Sequence, residues 1–293
     1  MRRRTAIRSL LASTAGIGVA SPLTAWANSN MELAPLKGNI RHSVCSWTYD
    51  FLSLEELCQV VKKIGFSAID LVAPSGFKTL QANGIDCSMS YTAGKISLTE
   101  GWNRIENHDW LVKDFLDAIP VVAEAGYKNL ICFTGNRNGM DDETGLKNCV
   151  QGLKRIMGAA EKNGITIQLE LFNSKVDHKD YMADRSDWGV ALCKRLGSSN
   201  FKLLYDIYHM QISEGDVIRT IRDNHEYFGH YHTAGVPGRH EIDENQELFY
   251  PAIMRAIHQT GYQGYVAQEF ISEKKTNTEK IASLKKAIEI CDI

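Results

Sequence analysis

The strongest constraint in the sequence is an alternation that runs from residue 40 to the end. Eight short runs read as strands: "IRHSVCSW" (40–47), "AIDLVA" (68–73), "CSMSYT" (87–92), "NLICFT" (129–134), "TIQLE" (166–170), "KLLYD" (202–206), "GHYHT" (229–233) and "YVAQEF" (265–270). Between them lie stretches of helical period such as "SLEELCQVVKKIG", "DWLVKDFLDAIPVVAEAG" and "ETGLKNCVQGLKRIMGAAEKNG", and a last helix is expected near 278–291. Several end at glycine (Gly65, Gly126, Gly164, Gly197, Gly261), which takes the left-handed conformation that stops a helix. Ser53, with Glu56 three residues on, reads as a capping box. Eight such units predict an α/β fold, a single-domain (β/α)8 TIM barrel over residues 39–293. A doubly wound open sheet would normally carry a glycine fingerprint, and no G-x-G-x-x-G follows a strand here.

The first 27 residues stand apart from this pattern. Arg2, Arg3 and Arg4 precede the modestly apolar "SLLASTAGIGVASPLTA", and Ala25-Trp26-Ala27 gives an A-x-A end, the layout of a signal peptide. The stretch is too short and too rich in Gly, Ser and Thr to predict a membrane span. "RRRTAIR" is similar to a twin-arginine signal, so the expectation is export to the periplasm by that route, with residues 28–38 as a linker. The chain has 33 basic and 35 acidic residues; loss of the four leader arginines would leave 29 against 35. Such an excess of acid offers no attraction to nucleic acid or anionic lipid. The seven cysteines (45, 58, 87, 132, 149, 193, 291) contain no C-x-x-C and read mostly as small apolar core residues.

Chemistry in a barrel of this kind sits at the C-terminal ends of the strands. From the fifth strand on, those ends read Glu170, Asp206, His232 and Glu269. Alternation gives their direction. In "GITIQLEL", Ile165, Ile167, Leu169 and Leu171 share the face that suits the helices, which turns Thr166, Gln168 and Glu170 toward the barrel axis. The same parity groups Asp206 with Leu204, His232 with His230, and Glu269 with Ala267. Any one of these residues alone would more often be a helix cap or a solvated rim charge. Four in succession predict a site for one divalent ion. Three oxygen donors and one imidazole favour Mn, with Mg or Co as alternatives, over a thiolate-type zinc site. His230 lies one layer deeper and is expected to support or pack. Trp47 and Tyr49, at the end of the first strand, are placed to stack on a sugar or to close the barrel mouth. The remaining histidines, His178 among them, read as solvated or packed.

The segments "QLELFN", "LLYDIYHMQ", "GHYHTAGVPGRHEI" and "YVAQEF" resemble the motifs of the xylose isomerase-like TIM barrels, most closely the hydroxypyruvate isomerase group. That resemblance implies an ion held by Glu170, Asp206, His232 and Glu269, with the two glutamates as acid and base. It also implies substrate contacts from His209 and Arg239. Two positions depart from the pattern. His232 stands where bacterial hydroxypyruvate isomerases carry Gln and is similar to ketose 3-epimerases, whereas Val176 stands where those epimerases have a further Glu.

The implied chemistry is proton transfer beside a carbonyl through an enediolate, by an isomerase or epimerase of a small hydroxy-carbonyl compound or keto-sugar. A lyase or hydratase acting on 3-keto-glycosides begins with the same proton abstraction and stays open. An endonuclease IV-like phosphodiesterase would need more His and Asp ligands and a basic face, and a non-catalytic sugar-binding barrel would be expected to lose a ligand or base. The expected partner is a small carbonyl or sugar substrate, with no nucleic acid and no membrane span; a homo-oligomer is allowed. If the leader is read by the twin-arginine route, Arg3→Lys together with Arg4→Lys should block export. Fractionation followed by immunoblotting checks this, and normal export of the double variant would point to ordinary secretion.

Overall fold

In the computed structural model of the protein, residues 35–293 are described. The signal peptide expected at 1–27 and most of the linker expected at 28–38 lie outside them. Eight strands follow in order: β1 (Arg41–Cys45), β2 (Ala68–Asp70), β3 (Asp86–Cys87), β4 (Asn129–Cys132), β5 (Thr166–Glu170), β6 (Phe201–Asp206), β7 (Phe228–Thr233) and β8 (Tyr265–Gln268). All pairings are parallel, in the order β3-β2-β1-β8-β7-β6-β5-β4. The ring closes between the outer members through the extension of β3. The Ser90 N–H donates to the Asn129 carbonyl at 3.0 Å, and the Ile131 N–H donates to the Ser90 carbonyl at 3.0 Å. A parallel sheet closed on itself and covered by helices is the TIM barrel that the alternation predicts.

Nine α-helices surround the ring among the described residues: α1 (Leu54–Ile64), α2 (Phe77–Asn83), α3 (His108–Glu124), α4 (Asp142–Asn163), α5 (Ser186–Leu196), α6 (Ile207–Ser213), α7 (Val217–Asn224), α8 (Tyr250–Gln259) and α9 (Asn277–Cys291). The predicted box at α1 forms. Ser53 accepts from the Glu56 N–H and the Glu56 carboxylate accepts from the Ser53 N–H, while Gly65 ends the helix at φ 101°. None of these helices is long and apolar enough to cross a membrane.

Side-chain direction follows the parity read from the sequence. Leu171 and Leu203 press against α5, where Gly189 leaves room for them: a Cβ there would lie 2.8 Å from Leu203 Cδ1. Thr166, Gln168 and Lys202 instead line a cavity at the N-terminal mouth of the barrel. All seven cysteines are buried and free. Strand ends differ from the sequence reading in three places. β1 stops at Cys45, and Ser46–Tyr49 form a 3-10 turn, so Trp47 and Tyr49 sit on a turn rather than a strand end. β2 stops at Asp70, because Leu71 takes a left-handed conformation at φ 57°. β8 stops at Gln268, although the Glu269 N–H still donates to the Thr233 carbonyl at 2.8 Å and holds that residue beside β7.

Leu203 is fully buried between the sheet and α5. Leu203→Ala should therefore destabilise the protein by roughly 2–5 kcal/mol, the range for emptying a well-packed leucine site. Chemical denaturation monitored by circular dichroism measures it.

Candidate metal centre

The four residues predicted from strand ends meet. One ligand atom from each of Glu170, Asp206, His232 and Glu269 lies within 4.8 Å of every other, and all four side chains are buried. Glu170 and Asp206 close β5 and β6, His232 is the penultimate residue of β7, and Glu269 follows β8 directly. Asp206 also caps α6, accepting from the His209 N–H at 3.2 Å. Cap and candidate ligand are the same carboxylate, because a helix that starts at the rim needs an acceptor where the strand ends.

Burial raises Glu170 to about 8, with Glu269 and Asp206 adding to the effect and His232 opposing it. Burial likewise raises Asp206 to about 6 against the pull of Arg239. Glu269 is pushed up by burial but is held well below the usual carboxylate range by Arg239, His232 and the Trp47 indole. His232 Nδ1 lies 3.2 Å from Glu170 Oε1 and 2.7 Å from Glu269 Oε2, yet Nδ1 and Glu170 Oε1 are both buried without a hydrogen bond. Two unpaired atoms, Glu170 Oε1 and His232 Nδ1, converging with the carboxylate oxygens of Asp206 and Glu269, make a donor set that suits a divalent cation. The residues present therefore fit such an ion.

The residues expected to meet substrate surround this set. Arg239 reaches in at 2.6 Å from Glu269 Oε2 and 3.4 Å from Asp206 Oδ2. Its guanidinium lies 5.4 Å from the Trp47 ring centre and 5.6 Å from that of Tyr208. The loop that brings it there turns through Gly238 at φ 89° and Arg239 itself at φ 61°. Trp47 Nε1 donates to Glu269 Oε1 at 2.8 Å while the residue remains 39% exposed, so part of it is open to solvent. His209 is fully buried, and its tautomer can be read from its neighbours. Asn173 Oδ1 accepts from the N–H groups of Val176 and Asp177 at 2.9 and 3.1 Å, which turns the amide nitrogen to His209 Nδ1 at 2.7 Å. Burial and the Arg239 charge keep the ring neutral. A neutral ring that accepts at Nδ1 carries its proton on Nε2. That Nε2 has no hydrogen bond and lies 3.6 Å from Asp206 Oδ2, as a donor at the edge of the ligand set.

Sequence reasoning passed over Asn173, Tyr91 and Asp70. Asn173 sets the His209 tautomer. His178 is packed, one of the two readings the sequence allowed: its ring stacks on Phe172 at 4.2 Å and meets His209 edge-on at 5.1 Å. The Tyr91 hydroxyl is pushed up by burial and by the Glu269 and Glu170 charges. Asp70, fully buried, lies 3.0 Å from His232 Nε2 and 2.8 Å from His230 Nε2. Its signal was present: an acid ending the second strand, hidden by reading that strand three residues too long. His230 supports Asp70, in keeping with its deeper layer.

Residues 58–291 match the xylose isomerase-like TIM barrel family. The chain belongs to that family. A 2-oxo-tetronate isomerase of Cupriavidus necator is 37% identical over 121 residues, 41% of this chain and 46% of that protein. The matched stretch thus spans about half the length of such a relative. A putative hydroxypyruvate isomerase of Drosophila melanogaster is 24% identical over 77% of this chain and 88% of its own. Among solved structures, a 3-keto-D-glucoside 4-epimerase from E. coli superposes with a TM-score of 0.72 at 18% identity, covering 85% of this chain and 99% of that one; at this identity the likeness concerns the fold.

Calorimetric titration with Mn2+ should show protons released at pH 7, because the raised Glu170 carboxyl must give up its proton to serve as ligand. Affinity should tighten as the pH rises toward 8. Asp206→Ala should abolish uptake, and an unchanged metal content in that variant would rule out the assignment.

Proposed function

We propose that the protein is a metal-dependent isomerase or epimerase of a small hydroxy-carbonyl compound or keto-sugar, acting by proton transfer beside the carbonyl. The observation that carries this reading is the unequal pair of glutamates facing one imidazole. Glu170 has an oxygen free of hydrogen bonds and a high proton affinity, whereas Glu269 has one oxygen on Trp47 and the other on Arg239. Two carboxylates whose surroundings push their proton affinities apart form an acid–base pair. The names of the relatives, 2-oxo-tetronate isomerase and hydroxypyruvate isomerase, support the same reaction class.

Glu170, Asp206, His232 and Glu269 would hold the divalent ion, Mn in preference to Mg or Co on the sequence argument, and when bound it supplies Lewis-acid polarisation of the carbonyl. The protein's own groups do the rest. The His209 Nε2–H donates to a substrate oxygen, and the neutral ring adds no charge that would repel the ion. Arg239 offers a guanidinium to an anionic or hydroxyl-rich end of the substrate, and the exposed part of Trp47 covers its carbon skeleton. Glu170 takes the carbon-bound proton. Return of that proton by Glu170 to the neighbouring carbon, with the hydroxyl proton passing to the former carbonyl oxygen, is isomerisation; reprotonation of the same carbon on its opposite face, by a proton that Glu269 first takes from solvent, is epimerisation. Export to the periplasm behind residues 1–27 is proposed on the leader sequence alone.

The test is exchange in D2O with Mn2+-loaded protein on hydroxypyruvate, tartronate semialdehyde, common ketoses and 3-keto-glucosides, read by NMR. Deuterium should appear beside the carbonyl of the true substrate. Glu170→Gln should slow it by about 10²–10⁴-fold, the usual contribution of a positioned acid–base group. Loss of exchange with Glu170→Gln, and full turnover with Glu269→Gln, would identify a single-base isomerase; exchange without product in Glu269→Gln would identify an epimerase. An eliminated or hydrated product would establish the lyase reading instead, and binding without any exchange would make the barrel a receptor.

A further inference from the structure

Beneath the four candidate ligands lies a second polar layer. Asp70 is wholly enclosed, with four polar neighbours around it. Oδ1 accepts from His232 Nε2 at 3.0 Å and has Cys45 Sγ at 3.7 Å; Oδ2 accepts from Ser88 Oγ at 2.5 Å and has His230 Nε2 at 2.8 Å. Ser88 Oγ in turn lies 2.5 Å from Ser43 Oγ.

We infer that Asp70 is the positioning residue of this centre: by accepting from His232 Nε2 it fixes the proton on that nitrogen and turns Nδ1 toward Glu170 and Glu269. The inference rests on the proposed metal site and extends it to a residue that touches neither ion nor substrate. The geometry is directional. Nε2 faces Asp70 at 3.0 Å, while Nδ1, on the other side of the ring, faces the two glutamates at 3.2 and 2.7 Å. An imidazole ligates through its unprotonated nitrogen only if the other nitrogen keeps its proton, and a carboxylate acceptor secures that and strengthens the donor. Ser88, which donates to Oδ2, and His230 Nε2, 2.8 Å from the same oxygen, hold the carboxylate so that Oδ1 stays on the ring of His232. Cys45 and Asp70 also lie within ligand range of His232 Nε2. Ser88 on Oδ2, with His232 and Cys45 on Oδ1, nevertheless occupies the oxygens that a second ion would need.

Asp70→Asn keeps the side chain's shape but presents one acceptor oxygen where there were two, so His232 and Ser88 can no longer each donate to an oxygen of its own. Two readouts independent of turnover test the role. In ¹⁵N-labelled wild type, His232 should show a downfield, slowly exchanging Nε2 proton with or without Mg2+, and Asp70→Asn should lose it. Chelator competition should show Mn2+ affinity falling about 10–100-fold in Asp70→Asn, the usual effect of removing a partner behind a ligating histidine, with the thermal transition still cooperative. A wild-type His232 lacking an Nε2 proton, a wild type that binds no Mn2+, or an Asp70→Asn protein with unchanged affinity and spectrum would each overturn the inference. If the variant does not fold, the wild-type spectrum still decides. A protein that turns over none of the proposed substrates yet shows both effects would refute the functional reading and leave Asp70 in its role.

Discussion

The mouth of this barrel is organised around one electrostatic problem: three carboxylates enclosed within a few ångströms of one another. At an effective dielectric of about 20, two like charges 4 Å apart repel by about 4 kcal/mol. Such a cluster can persist only beside positive charge or with some members protonated. Both remedies are visible. Arg239 arrives on a loop whose backbone enters the left-handed region at two consecutive residues to aim it at Glu269 and Asp206. Glu170, the carboxylate farthest from such help, is the one pushed up to about 8. The shape of the β7–α8 loop, the indole contact of Trp47 and the cap on α6 all belong to the same balance of charge.

The fold was legible in the sequence because a closed parallel barrel imposes two periods at once, and both survive in a single chain. Period two along β5 and β6 gave the direction of Glu170 and Asp206 correctly, since a one-residue error would have put Leu169 and Tyr205 in the barrel axis. Strand ends were less legible. Apolar character continues past the last paired residue in "AIDLVA" and "IRHSVCSW", so composition alone extends the strand. What stops β2 is the backbone of Leu71, and what stops β1 is a 3-10 turn beginning at Ser46. Asp70 was missed for that reason alone; an acid at the end of a strand and an acid in the middle of one read differently.

His209 shows a different limit. Its place one turn beyond Asp206 is a local fact that the sequence carries. Its protonation depends on Asn173, 36 residues away, and on two backbone N–H groups that fix which way that amide points. No spacing rule encodes a tautomer. Here a chain of three hydrogen bonds, each unremarkable alone, leaves the imidazole a donor toward the ligand set.

The closure of the ring at Ser90 gives the barrel a seam, and the seam has a location. β3 is two residues long, and only its extension reaches β4, through two backbone hydrogen bonds and the Asn129 side chain on the Ser88 carbonyl. The strands β5 to β8, which carry the candidate ligands, are instead joined to one another by ladders of three or four paired residues, with one register shift at Leu203/Leu204. The join made by an isolated bridge therefore lies on the side that carries no candidate ligand. The ring behaves less like a uniform hoop than like a clasp, with its hinge under the chemistry and its catch on the far side.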